Sequence, residues 1–316
     1  MTIGVIVNED KDTGLAVAKR LVDEIFSRGG KSFIATGIEL DVSGSRRNDQ
    51  RDLQAKNRAA FNDCDIFICI GGDGTLIKAA RETLRYRTPV LGVNLGSFGY
   101  LTEVETTQID MMLDRIFNND YRVEERMMLS IARESGAAAY TGESRKDCAL
   151  VDTALNELAV GRGDTPRVVR LKIYINDVFL DNFSGDGILI STPTGSTAYS
   201  LSAGGPVIDP ELSVISIVPV CSHAIFSRPV LVAPDKTITI VPVNADGAFQ
   251  ASVSVDGFIR PALGGDEIIK VRRAEHVTKM LRFDPDNFYA VLKNKLFDTS
   301  NKRGFDAEHR EISVYG

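Results

Sequence analysis

Tryptophan is absent from this chain of 316 residues, histidine occurs only as His223, His276 and His309, and cysteine only as Cys64, Cys69, Cys148 and Cys221. Each scarcity removes a class of function. The histidines are too far apart in sequence to suggest a ready-made zinc site. The cysteines form no Cys-x-x-Cys pair, so buried, reduced thiols of a reducing cytosol are expected rather than a disulfide framework. No apolar run approaches the ~20 residues needed to span a bilayer. The N-terminus opens at once into an apolar stretch, Thr2 to Val7, without the charged and apolar regions of a signal peptide. A soluble, cytoplasmic protein with no membrane partner is expected. An excess of basic residues is also missing: 37 Lys and Arg stand against 43 Asp and Glu, a net charge of −6. That balance argues against a nucleic-acid partner. It leaves room for an anionic small molecule, which local groups hold.

The length suits two domains. From residue 2 to about 120, short β-branched runs (2–7, 31–36, 66–70, 89–93) alternate with helical patterns (15–26, a segment ending near Phe61, 76–84, 107–117). This is the signature of βαβ units and a mostly parallel sheet. Residues 43–52 read as a polar loop, and 136–146 as a small, polar linker. Beyond it, short β runs punctuated by Gly, Pro and Asp imply an all-β, sandwich-like domain. A helix returns at 286–296. The expected organisation is an α/β domain over 1–135 completed by 284–300, a β-rich domain over 147–283, and a charged tail over 301–316.

Two stretches carry chemistry. Gly71-Gly72-Asp73-Gly74-Thr75 lies between an apolar strand and a helix start. Glycines let backbone approach a ligand closely, and the free N–H groups of a first helical turn favour an anion. Asp73 opposes an anion unless a proton or a metal intervenes, which suggests phosphoryl transfer. Asp73 would then accept a proton from an attacking hydroxyl or help to hold Mg²⁺; the alternative is a tight turn with an Asp cap. The loop Asn94 to Leu101 follows the next strand and falls at the same edge of the sheet, where such folds bind ligands.

The second stretch runs from Asp186 through Thr192-Pro193-Thr194-Gly195-Ser196-Thr197-Ala198-Tyr199 to Pro206. Hydroxyls and N–H groups there suit a pyrophosphate, and Tyr199 suits a base; the alternative is a helix-capping turn. Asn156-Glu157 offers hydrogen bonds to a ribose or an adenine edge, or is simply a solvated strand end. Asp256-Gly257 reads most simply as a hairpin turn.

Together Gly71 to Thr75, Asn94-Leu95-Gly96 with Gly99-Tyr100-Leu101-Thr102-Glu103, Leu155-Asn156-Glu157, Asp186 to Pro206 and Asp256-Gly257 resemble the NAD kinase family, bacterial type. Phe288 to Leu296 resembles that family's last helix. The likeness spans roughly residues 3–297, leaving out the 37–58 loop and the 134–148 linker. Its first motif is shared with lipid and phosphofructokinase-like kinases; the Thr192–Pro206 stretch is specific. The resemblance implies ATP-dependent phosphorylation of the 2′-hydroxyl of the adenosine ribose of NAD, giving NADP, with Mg²⁺ accompanying ATP and no metal ligand assigned to the protein. It implies that Asp73 is the catalytic proton acceptor and that Gly71, Gly72, Gly74 and Thr75 shape the phosphate loop. It further implies NAD contacts from Asp73, Gly74, Asn156, Glu157, Asp186, Thr197, Ala198, Tyr199, Ser202 and Asp256, with Arg167 and Ser184 aligned at further contact positions. Serine at 184 leaves the choice between oxidised and reduced dinucleotide open. Tyr100 stands where Phe is usual, and Cys221-Ser222 precedes His223 where relatives often carry proline. A homodimer or homotetramer is implied as well. The rivals are a lipid kinase, which would need an acyl cavity that Thr192–Pro206 does not suggest, and a silent dinucleotide sensor, against which intact Asp73, Asn156 and Glu157 argue.

Overall fold

The computed structural model describes residues 1–8, 11–12, 15–35, 60–96, 99–135, 149–163, 167–224, 227–243, 250–264, 267–284 and 287–296. The polar loop expected at 43–52, the linker at 136–146 and the charged tail lie outside them.

Four parallel strands form the N-terminal sheet, in the order Lys31–Ala35, Thr2–Val7, Ile66–Gly71, Val90–Asn94. Alternation along a strand sends successive side chains to opposite faces. Ile66, Ile68 and Ile70 accordingly meet the helices Ala16–Ser27 and Ile109–Phe117 through Leu21, Ile25, Met112 and Leu113. Phe67 and Cys69 face the other way, onto the helix Asp73–Thr83 through Leu76, Ile77 and Ala80. Both faces are thus covered, which is why these strands read as continuous apolar runs.

The sheet does not end there. The long strand Glu267–Arg282 pairs in parallel with Val90 at Met280, and antiparallel with Arg122–Ser135 along its length. Arg122–Ser135 in turn pairs with Ala149–Ala154. Glu267–Arg282 also carries Ile238–Pro242, Val169–Ile175 and Val178–Gly185 beside it, so eleven strands make one mixed sheet. Its β-rich half packs on a six-stranded antiparallel sheet in the order Val230–Val232, Ile215–Val220, Gly187–Ser191, Glu157–Gly161, Ala251–Val255, Phe258–Leu263. The final helix, Asn287–Leu296, returns to the N-terminal half, with Lys295 Nζ 4.4 Å from the Tyr100 ring centre.

Leu155 ties the halves together. It is fully buried in the same cluster as Leu76, Ile77, Leu101 and Met128. The residues after it, Asn156 and Glu157, are therefore held beside the helix that begins at Asp73.

Candidate active site

The glycine loop is shaped by what its side chains would displace. A Cβ on Gly71 would lie 2.5 Å from Thr75 Oγ1, which instead accepts a hydrogen bond from Asn8 Nδ2 at 3.2 Å. A Cβ on Gly74 would meet nothing within 4 Å, so this face of the loop is open. Asp73 opens the helix, and its carboxylate turns onto the loop after Val90–Asn94. Oδ2 accepts the Tyr100 N–H at 2.7 Å. Oδ1 accepts Leu101 N–H and Thr102 N–H, each at 3.1 Å, and the Thr102 hydroxyl at 3.4 Å. The approach is so close that a Cβ on Gly99 would sit 1.8 Å from Oδ1. Lys11 Nζ lies 3.2 Å from where a Gly72 Cβ would be, placing a cation over the same loop.

Across from this loop the backbone of Leu155-Asn156-Glu157 is caged by Asp256. Oδ2 accepts Leu155 N–H at 2.9 Å, and Oδ1 accepts Asn156 N–H at 2.7 Å and Glu157 N–H at 3.1 Å. Asp256 does sit in a two-residue hairpin turn, with positive φ at Asp256 and Gly257. Its side chain, though, is wholly buried and fully engaged with these N–H groups and Arg81. Burial pushes the Asp256 carboxyl up, against the pull of Arg81 and the three N–H groups. Burial, with Asp256 nearby, pushes Glu157 up to about 8. Asn156 Oδ1 and Glu157 Oε2 are buried and have no hydrogen-bond partner among the described residues. A water, an ion or a polar ligand would satisfy them.

The stretch after Gly187–Ser191 folds onto that cage. Thr192 N–H donates to Asn156 O at 2.9 Å, and the Thr192 hydroxyl to Leu155 O at 2.5 Å. Gly195 rides so tightly over Asn156 that a Cβ would lie 2.2 Å from the Asn156 carbonyl oxygen. The hydroxyl of Ser196 bonds Pro193 O and Ile208, and that of Thr197 bonds Thr194 O. These hydroxyls brace the loop on itself, so the expected cradle of free hydroxyls for pyrophosphate is narrower than the composition suggested. Only a short turn, Tyr199–Ser202, follows. Its Tyr199 projects outward, half exposed.

Two family models match the chain: the ATP-NAD kinase N-terminal domain over residues 3–121 and the ATP-NAD kinase C-terminal domain over residues 155–283. The chain belongs to the NAD kinase family. NAD kinases of Ruminiclostridium cellulolyticum and Moorella thermoacetica are 38% and 39% identical to it. These matches cover 94% and 95% of this chain, and 98% and 91% of those proteins. The fold is shared with yeast NADH kinase complexed with NADH (TM-score 0.77, 20% identity, 98% of this chain and 89% of that one). It is also shared with an Archaeoglobus fulgidus NAD kinase in complex with ATP (TM-score 0.67, 22% identity, 92% and 97%).

Within this NAD kinase fold the candidate residues fall into two groups. Asp73 and Gly74 stand on the helix side of the site, and Asn156 and Glu157 on the cage side, from which the Gly195 loop leads to Thr197, Ala198, half-exposed Tyr199 and exposed Ser202. A buried chain of polar contacts links the two sides. Leu101, whose N–H bonds Asp73, gives its carbonyl to Arg282 Nη1 at 2.9 Å. Arg282 and Arg126 share Glu124, and Arg126 reaches the Thr194 hydroxyl at 3.5 Å. A cavity of about 210 Å³, lined by Tyr100, Arg126, Asp209, Arg282, Phe288 and Tyr289 among others, opens against this chain. Arg167, Ser184 and Asp186 form the second group, at the other end of Gly187–Ser191, about 16 Å away at a strand's rise per residue. There Asp186 pairs with Arg162 at 2.9 Å, and Ser184 O accepts the His223 N–H. The sequence reading missed Lys11, Arg81, Arg126 and Arg282. Arg126 and Arg282 each border a short apolar run, Met127-Met128-Leu129 and Met280-Leu281, and nothing else in the sequence marks them.

Proposed function

We propose that this chain transfers the γ-phosphoryl group of ATP to the 2′-hydroxyl of the adenosine ribose of NAD, giving NADP. What supports this reading best is the pairing of Asp73 on an open glycine loop with the unmet Asn156 Oδ1 and Glu157 Oε2, two elements joined through Leu155 in one core cluster. Ribose hydroxyls fit those unmet atoms, since each both donates and accepts.

Asp73 is the proton acceptor, and its two oxygens are unequal. Oδ1 is saturated by three donors, whereas Oδ2 takes one N–H and keeps a lone pair for the ribose hydroxyl. Attack passes through a loose transition state, so the proton leaves late and most of the work is positioning and charge stabilisation. Lys11 lies over the loop where the donor's phosphates approach. Among the described residues no group of three or more His, Cys, Asp or Glu side chains gathers as a metal site. Magnesium accompanying ATP would supply positive charge against what builds on the transferring group. Tyr199 offers its ring to a base, and Thr197 and Ala198 line the wall beside it.

A homo-oligomer is part of this proposal. Val178, Phe179 and Leu180 are exposed at the tip of one edge hairpin, and Val230 and Leu231 on the edge strand of the other sheet. Apolar edges of this kind suit pairing with another chain. A cytoplasmic location is also proposed, in keeping with buried Cys64 and Cys69, whose thiols burial pushes up to about 12. Among the described residues no helix is long and apolar enough to cross a membrane. The deciding assay offers ATP and Mg²⁺ with either NAD or diacylglycerol. Formation of NADP supports the proposal; phosphatidate, or no product with either acceptor, overturns it.

A further inference from the structure

We infer that Arg81 is a positioning residue for the dinucleotide: it locks the helix that begins at Asp73 to the cage that presents Asn156 and Glu157. The inference rests on the NAD kinase reading and adds a residue to it that neither glycine motif contains.

Arg81 sits in the last turn of Asp73–Thr83, eight residues after Asp73 and so about 12 Å along the axis. On an isolated helix it would be a solvated charge, yet its side chain is only 5% exposed. Its guanidinium divides between two carboxylates. Nη1 donates to Asp256 Oδ2 at 3.2 Å and to Val255 O at 3.3 Å. Nη2 donates to Asp152 Oδ1 at 2.5 Å. Asp152 is held from its other oxygen by Arg260 Nε at 2.6 Å. The Phe258 ring, next in the same hairpin, lies under Arg81 and Lys78, each 5.5 Å from its centre. A planar fork satisfies this geometry with one nitrogen for each acid; an ammonium offers no such pair of nitrogens.

The consequence follows from what Asp256 does. Its carboxylate accepts the N–H groups of Leu155, Asn156 and Glu157, and the carbonyls of Leu155 and Asn156 then anchor Thr192. Moving Asp256 thus moves the backbone that aims Asn156 and Glu157, and with it the Gly195 loop. Arg81 is the only cation hydrogen-bonded to Asp256 among the described residues. Removing it leaves a buried carboxylate without its counter-charge and frees the hairpin from the helix. The phosphate loop at the other end of the helix keeps its own hydrogen bonds to Tyr100, Leu101 and Thr102. The defect therefore belongs to NAD and not to ATP.

Steady-state kinetics well below the melting temperature, together with calorimetric binding of NAD, test this on Arg81→Met, Arg81→Lys, Asp256→Asn and the Arg81→Met/Asp256→Asn double variant. Arg81→Met is expected to raise the KM and Kd for NAD tenfold or more while the KM for ATP stays within twofold. Arg81→Lys should fall between it and the unaltered protein. The double variant should be no worse than the more impaired single one, because both substitutions break the same link. A melting temperature lowered with NAD binding unchanged, equal losses for both substrates, or additive effects in the double variant would each overturn the inference. If Arg81→Met does not fold, Arg81→Lys with unaltered NAD affinity overturns it alone. An unaltered protein that binds NAD but makes no NADP would defeat the functional proposal, while the binding comparison still decides the role of Arg81.

Discussion

A carboxylate that accepts three backbone N–H groups has little freedom to move, and that is how Asp73 is held. Asp73→Asn would keep the size, set its amide NH2 against one of these N–H donors and remove the proton acceptor, so kcat should fall about 10²-fold or more, the range for loss of a general base. Calorimetry should find NAD affinity within a few-fold of the original; full turnover with intact affinity would remove Asp73 from the chemistry. Glu157 permits a test of a different kind. Its folded value, about 8, lies above the ordinary 4.5. Below pH 4.5 the folded and unfolded chains both carry the proton. Between 4.5 and 8 the unfolded chain releases a proton that the folded chain keeps, so stability falls as pH rises through that window. Glu157→Gln has no proton to lose. Its melting temperature should decline less than the original's between pH 5 and pH 8, a relative gain on the order of 1–3 kcal/mol at the upper end. Parallel melting curves would show that Glu157 is not the source. At this scale the sequence named Asp73, Asn156 and Glu157 but was silent on Arg81. The partners of Arg81, Asp152 and Asp256, lie 71 and 175 residues away, so nothing local separates it from an exposed helix charge.

Elements were legible where period and burial agree. The run Ile66 to Gly71 is buried at every position and reads as a strand, and Asp73–Thr83 shows its apolar stripe. Arg122–Ser135 did not read as a strand because Glu124 and Arg126 interrupt its apolar alternation. Arg126 is buried there and Glu124 largely so, its carboxylate paired with both Arg126 and Arg282 from the neighbouring strand. The end of Glu267–Arg282 was hidden for the same reason. The Thr192–Pro206 stretch was legible as a motif, though not as the self-braced loop it forms. That bracing yields a prediction for the element as a whole. Gly195→Ala would drive a methyl group against the Asn156 carbonyl, backbone against backbone, with no flexible side chain to yield. The expected outcome is a roughly tenfold rise in the KM for NAD, an ATP KM within twofold, and a loss of about 1–3 kcal/mol in stability by thermal melting. Equal kinetics for the glycine and alanine forms would mean that Asn156 tolerates displacement and does not fix the dinucleotide.

At the scale of the molecule, one sheet joins the α/β half to the sandwich through the pairing of Met280 with Val90, and the core cluster around Leu155 bridges the same halves. The length of one strand separates the second group of candidate residues. Arg167, Ser184 and Asp186 stand at the opposite end of Gly187–Ser191 from Thr192, a strand buried at every position that cannot bend to bring them together. If they do touch dinucleotide, they meet the far end of the ligand about 16 Å from Thr192, or they serve the cleft of another copy of the chain. Within one chain Asp186 pairs with Arg162 and Ser184 O accepts the His223 N–H. Subunit mixing separates the possibilities. Asp73→Asn and Asp186→Asn proteins, each impaired alone, should regain activity when dissociated and reassembled together. In the mixed assembly an Asp186→Asn protomer keeps its own Asp73 and receives an intact Asp186 from its Asp73→Asn neighbour. Recovery of about a quarter of the original kcat per protomer is expected for random pairing into dimers, with light scattering confirming that the assembly re-forms. Assemblies of the correct mass with no recovered activity would place Asp186 outside the neighbour's cleft.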